Sequence, residues 1–188
     1  MAAAFDGHGS RWWVAGGYAI EWAVGRRFRG HADIDVLVLR RDHLVVQRAL
    51  PDWEWWAADA PGRLRPWRPG ETLPTRVHDI WCRPDPGAPW RLQVMLDESR
   101  GGEWNSRRDP GVRRPLDALT GASPAAGGIP YLTPEVQLYY KAKDPRPKDE
   151  ADFRAALPVL TTPQRHWLAA AITRTYGAPH PWIACLTG

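Results

Sequence analysis

The stretch from Trp13 to Leu39 leaves this 188-residue chain few folds to choose from. Trp12 to Ala15 reads as a short strand entering a core, Gly16-Gly17 turns the chain, and Tyr18 to Val24 has the apolar density of a buried helix. A basic link from Gly25 to His31 then leads into a strand over 34–39, short and rich in branched residues. Side chains alternate along a strand, so Asp33 and Asp35 share one face, about 6.5–7 Å apart.

Two carboxylates on one face repel unless a cation lies between them. Mg²⁺ suits such a pair, because it takes oxygen ligands from one or two carboxylates and from substrate phosphates. An isolated Asp-x-Asp is more often a solvated strand end. The glycine turn changes that reading: glycine lets backbone N–H groups approach a ligand, and a helix start presents unpaired N–H groups and a positive dipole end. Phosphate over Gly16-Gly17, with its metal on Asp33 and Asp35, points to a metal-bound nucleoside triphosphate.

The remaining chain reads as a helix over 42–50, then irregular strands in a Pro/Gly/Trp-rich stretch to Pro74. A hairpin pairs Arg76–Cys82 with Trp90–Leu96 through Asp85-Pro86-Gly87. Only short pieces are expected between Gly101 and Ile129. Thr133 with Pro134 starts a helix, and Pro158 ends one over 151–157. Thr162 with Pro163 starts another that stops at Gly177. This predicts an α+β chain, a core over 1–128 and a helical part over 129–188.

The run from Trp13 to Val38 resembles the first motif of the DNA polymerase β-like nucleotidyltransferase superfamily, nearest its aminoglycoside and lincosamide branch. Gly16, Gly17, Gly25, Arg26, Arg29, His31, Asp33, Ile34 and Asp35 carry the likeness. Ile129 to Leu138 is similar to the segment that opens the helical part of these enzymes. Lys141, Arg146, Lys148, Asp149 and Asp152 resemble the Lys-rich helical motif of the abortive-infection toxin branch. The resemblance implies a nucleotidyltransferase fold, a mixed sheet with flanking helices. It also implies Mg²⁺-dependent transfer of a nucleoside monophosphate to a hydroxyl, with release of pyrophosphate. Gly16, Gly17, Arg29, Lys141 and Lys148 would hold the nucleotide, taken as ATP. The N-terminal part is short for that family.

One position departs from the pattern. The family's third carboxylate falls on Gln93, which can ligate a metal through its carbonyl but cannot act as a base. Asp97 shares a face with Gln93, and Asp79 lies on the preceding strand, so either could supply the acid.

Composition excludes several classes. Hydrophobic residues at 44% and charged residues at 24% argue against disorder. No apolar run approaches the length of a membrane span, and no signal peptide pattern opens the chain. Cys82 and Cys185 have no metal-ligand spacing and are expected as reduced thiols in a cytoplasmic protein. The net charge of +4 suits a nucleotide and is too small to imply nucleic acid by itself.

The twelve tryptophans are read first as packing residues, with an aromatic wall for a base or sugar-like acceptor as the lesser option. Arg107, Arg108, Arg113 and Arg114 read first as a solvated loop, and otherwise as contacts to phosphate or to an acidic acceptor. His31 has a phosphate-contact or Asp33-orienting reading, and a structural reading that weighs at least as much.

Three functions fit. The first is nucleotidylation of a small hydroxylated molecule, such as an antibiotic. The second is transfer to tRNA ends, disfavoured by the modest charge. The third is a degenerate nucleotide-binding protein, motivated by Gln93.

Overall fold

The computed structural model describes residues 2–188. Its backbone forms one mixed sheet with helices around it. The strands are β1 (Trp12–Val14), β2 (Ile34–Leu39), β3 (Glu54–Ala60), β4 (Arg63–Pro66), β5 (Asp79–Arg83) and β6 (Leu92–Arg100), in the order β1-β2-β6-β5-β3-β4. β2 and β6 run parallel, and the other neighbours run antiparallel. The far end of β6 continues into a ribbon with β7 (Glu103–Asn105) and β8 (Arg113–Pro115). The helices are α1 (Ala2–Phe5), α2 (Gly16–Val24), α3 (Val45–Ala49), α4 (Pro134–Lys141), α5 (Pro147–Ala156), α6 (Thr162–Tyr176) and α7 (Trp182–Thr187). The α+β class and mixed sheet agree with the sequence reading.

Alternation sorts the two faces of the sheet. One face carries Val36, Val38, Leu92, Val94, Ile80 and Cys82, all fully buried. The opposite face carries a cross-strand row of Asp35, Gln93, Trp81 and Trp56. Farther along β2 and β6 this second face carries Leu37, Leu39, Met95 and Asp97, which are buried, with Tyr140 of α4 bonded to Asp97. The helices therefore close the second face at one end and leave it open beside Asp35, Gln93 and Trp81.

Several boundaries move, each for a local reason. α2 begins at Gly16 and stops where Gly25 takes φ +80°. Arg40–Asp42 forms a tighter 3₁₀ turn, so α3 is shorter than the expected 42–50. The irregular strands before Pro74 form a hairpin, β3–β4, turning at Pro61-Gly62 with Gly62 at φ +69°. α5 starts at Pro147, well before Ala151, because the Asp149 carboxylate accepts the Arg146 N–H and Pro147 suits the first helical position. α6 is capped by Thr161 rather than Thr162, with Gln164 completing a reciprocal cap. The short α1 and α7 have no counterpart in the sequence reading. Among the described residues no helix is long and apolar enough to cross a membrane.

Candidate active site

The site forms where β1 passes into α2 beside the start of β2. The Ala15 N–H donates to the Asp35 carbonyl at 2.8 Å, which brings the glycine turn over the Asp35 side chain. A Cβ on Gly16 would lie 1.7 Å from Asp35 Oδ2, and Gly16 has φ +64°. Only glycine lets turn and carboxylate coexist there. A Cβ on Gly17 would lie 2.0 Å from Arg29 Nη2 and 2.3 Å from His31 Cε1.

The glycines have a packing role that the sequence did not give. They admit the side chains of Asp35, Arg29 and His31, and the Gly16 N–H is taken by Gln137 Oε1 at 2.7 Å, while Gly17 lines the larger cavity.

The basic link is shaped by Glu21, a buried acid on α2. Its carboxylate accepts the N–H groups of Phe28 and Arg29 at 2.9 and 3.0 Å and lies 3.0 Å from His31 Nε2. Burial opposes its charge, but these bonds still hold the carboxyl below its usual range. His31 stacks on Tyr18 at 4.1 Å, and its Nδ1 lies 3.1 Å from Arg29 Nη1. His31 therefore orients Arg29; among the described residues it has no hydrogen bond to Asp33.

Two buried carboxylates of α5 gather the cations. Asp152 accepts Arg29 through Nε and Nη2 at 2.7 and 2.9 Å, and lies 2.9 Å from Lys141 Nζ. Asp149 accepts Lys141 and Arg146, each at 2.7 Å. Burial opposes the Asp149 charge, yet Arg146 and Lys141 hold its carboxyl down to about 2. The remaining nitrogen of Arg29 faces the Gly30 carbonyl at 3.2 Å and His31, so Arg29 lines the site with its donors engaged. Lys148 has no carboxylate partner among the described residues.

Two cavities meet at Asp35, Gln93, Lys141 and Arg146. The larger, about 530 Å³, is also lined by Gly17, Arg29, Asp33, Trp81 and Lys148. The smaller, about 290 Å³, adds Gly16, Arg107, Arg108, Tyr140 and Lys143. The structure thus brings together Gly16, Gly17, Arg29, Asp33, Asp35, Gln93, Lys141 and Lys148.

Burial first, and then the charge of Asp33, raises the Asp35 carboxyl to about 6 against the pull of Lys141 and Lys148. A carboxylate pair left short of positive charge is a fitting place for a hard cation. Among the described residues no three His, Cys, Asp or Glu side chains cluster as a ligand set. The chain's own donors there are Asp33, Asp35 and the Gln93 carbonyl, which fits an ion that completes its shell with phosphate and water.

The candidate acids part company. Asp79 Oδ1 accepts Gln93 Nε2 at 3.0 Å, and its Oδ2 lies 3.5 Å from Arg107 Nη1, with the side chain 27% exposed. Asp97 does not reach the cleft. It is fully buried and accepts Trp104 Nε1 at 2.7 Å and the Tyr140 hydroxyl, with Arg107 Nε 3.8 Å away. Burial pushes its carboxyl upward, and it ties β6 to β7 and α4.

Half of the arginine run departs from the solvated-loop reading, while Arg108 and Arg113 are exposed as it expects. Arg107 lies under Tyr140 at 5.5 Å, and Arg114 pairs with buried Glu135 at 2.7 Å over the Trp167 ring. Glu21 and Gln137 are absent from the sequence-derived site, and Arg107 entered it only as the second reading of a solvated loop. Their signals were a buried acid inside an apolar helix, a glutamine in the second family-like segment, and a position in a charge run.

Residues 1–155 match the family described as aminoglycoside-2''-adenylyltransferase. No curated protein matches the chain. The solution structure of the antibiotic-resistance factor ANT(2'')-Ia is similar, with a TM-score of 0.61, 18% identity and coverage of 94% of this chain and 89% of that one. A crystal structure of ANT(2'')-Ia in complex with adenylyl-2''-tobramycin gives a TM-score of 0.57, 17% identity and 92% coverage of each chain. The lincosamide antibiotic adenylyltransferase LnuA, lincomycin-bound, gives 0.57 and 16%, covering 84% of this chain and 92% of that one. At these identities the likeness to solved structures establishes the fold.

Proposed function

The chain belongs to the aminoglycoside-2''-adenylyltransferase family and is a nucleotidyltransferase; from that premise we propose that it moves a nucleoside monophosphate from ATP to a hydroxyl of a small antibiotic-like acceptor. The observation that carries this reading is the Asp33–Asp35 pair, short of positive charge, in a cleft lined by Lys141, Arg146 and Lys148. Mg²⁺ on Asp33, Asp35 and the Gln93 carbonyl would neutralise phosphate charge when bound. Lys148, without a carboxylate partner among the described residues, and Arg146 would hold the triphosphate. Arg29 and Lys141, fixed by Asp152, would keep the wall of the cleft in place.

Asp79 is the acid we assign to the acceptor. The acceptor oxygen bonds to the α-phosphorus, the bond from that phosphorus to the bridging oxygen breaks, and pyrophosphate leaves. The hydroxyl proton passes to Asp79, which Gln93 orients through its amide. The family's acid has in effect moved one strand over, from β6 to β5.

The test is transfer of label from [α-³²P]ATP to a panel of hydroxylated antibiotics. Asp79→Asn is expected to lower the rate by about 10²–10⁴-fold, the usual worth of a general base, while ATP with Mg²⁺ still stabilises the protein. A rate unchanged in Asp79→Asn would remove Asp79 from the reaction. No transfer with any acceptor would favour nucleotide binding alone.

A further inference from the structure

Next to the carboxylate pair the open sheet face turns aromatic. The row Asp35, Gln93, Trp81, Trp56 crosses four neighbouring strands, about 4.8 Å per step. The Trp81 and Trp90 rings are 6.4 Å apart and the Trp90 and Trp56 rings 6.2 Å apart. Arg83 lies over Trp90 at 4.6 Å and is paired with Glu54 at 2.6 Å. All three rings are half-buried, and Trp81 lines the larger cavity.

Trp13, Trp55, Trp67, Trp104 and Trp182 each donate their indole N–H to a partner within the chain. Trp56, Trp81 and Trp90 have no such partner among the described residues, a trait they share with Trp12, Trp22, Trp53 and Trp167. What distinguishes the three is their place: half-buried on the open sheet face, packed ring to ring, with Trp81 lining the larger cavity beside Asp35 and Gln93. Such rings present an apolar body and a polar tip to a ligand.

We infer that this strip is the acceptor subsite, and that the acceptor stacks a saccharide-like ring on Trp81 and Trp90 with few positive charges of its own. The inference rests on the transfer reading above. Asp79 and Trp81 alternate on one face of β5, about 6.5–7 Å apart. A hydroxyl that reaches Asp79 therefore has its ring over Trp81. The phosphate-facing cations Lys141, Arg146 and Lys148 share the larger cavity with Trp81, but they stand on α4, the segment before α5 and α5 itself, whereas Trp81 stands on the sheet. The triphosphate is thereby assigned to the helix wall and the acceptor to the sheet wall. Beyond the Asp33–Asp35 pair, which the metal would take, the carboxylates along the strip are engaged, Glu54 with Arg83 and Asp79 with Gln93 and Arg107. A polyamine finds little there to pair with, while a ring with one amine or none loses nothing.

Saturation-transfer difference NMR tests this with lincomycin, tobramycin and ATP with Mg²⁺ as probes. Lincomycin ring protons should receive saturation from the wild-type protein more strongly than those of tobramycin. Trp81→Ala and Trp90→Ala should each weaken lincomycin binding at least roughly tenfold, in line with the worth of one ring stacked on an aromatic side chain. Trp81→Phe should stay near wild type, and adenine signals should hold in every variant. Loss of the adenine signals in Trp81→Ala would make the strip a base platform and overturn the proposal. So would lincomycin binding that ignores both substitutions, tobramycin binding more tightly than lincomycin, or no saccharide binding to the folded wild type. If lincomycin binding depends on Trp81 but ATP is neither bound nor consumed, the strip stands and the transfer reading falls.

Discussion

The Asp35 carboxyl, raised to about 6 by burial and by Asp33, makes the stability of the metal-free protein depend on pH. Below about pH 4 the group is protonated in both the folded and the unfolded chain. Between there and pH 6 the unfolded chain gives up its proton more readily, so the stability that protonation lends the fold is lost as pH rises and stays lost above 6. Asp35→Asn removes that loss. Urea denaturation at pH 7.5 without metal should show the variant more stable by about 2–3 kcal/mol, with the advantage fading towards pH 4. The same variant should lose the stabilisation that ATP with Mg²⁺ gives the wild type. A variant with no gain at pH 7.5 would mean that the Asp33–Asp35 repulsion is already relieved within the chain.

At the scale of elements, α5 is the clamp. Its two carboxylates, Asp149 and Asp152, hold Arg29 from the link before β2, Lys141 from α4 and Arg146 from the intervening segment. Asp152 is fully buried, so its removal leaves Arg29 and Lys141 partly buried without their shared partner. Breaking such a pair costs about 3–5 kcal/mol. Asp152→Ala should show a loss of that order in urea denaturation, with weaker ATP binding, because Arg29 also packs over Gly17. A loss under about 1 kcal/mol would mean that the pair behaves as a solvated surface bridge.

Across the whole molecule, the sheet supplies one wall of the cleft and the C-terminal helices the other. Asp97 ties them, through Tyr140 of α4 and Trp104 of β7. A ligand that bridges these walls stabilises the fold by mass action, by about 2.7 kcal/mol at one hundred times its dissociation constant. ATP and Mg²⁺ together should therefore raise Tm more than either alone in differential scanning fluorimetry. Equal shifts with ATP alone would indicate a phosphate site without the metal.

The sequence by itself determined the local order of the site. Strand, glycine turn, helix and Asp-x-Asp strand follow from composition and alternation, and so do the two acids on one face. The Thr-Pro and Gly signals around α4 and α6 mark helix ends for equally local reasons. What only the tertiary structure decided is whatever depends on pairing between distant segments. The register Asp35–Gln93–Trp81–Trp56 joins four strands far apart in the chain, and no local rule specifies it. Asp97 and Asp79 looked alike as strand acids, and a helix packing over one end of the sheet sealed the first and left the second partly exposed and bonded to Gln93 of the cleft. Gly16 read as a phosphate approach, yet the space over it belongs to Asp35 and its N–H to Gln137, 121 positions away. Alternation says which way a side chain points, and packing against remote segments says what it meets there.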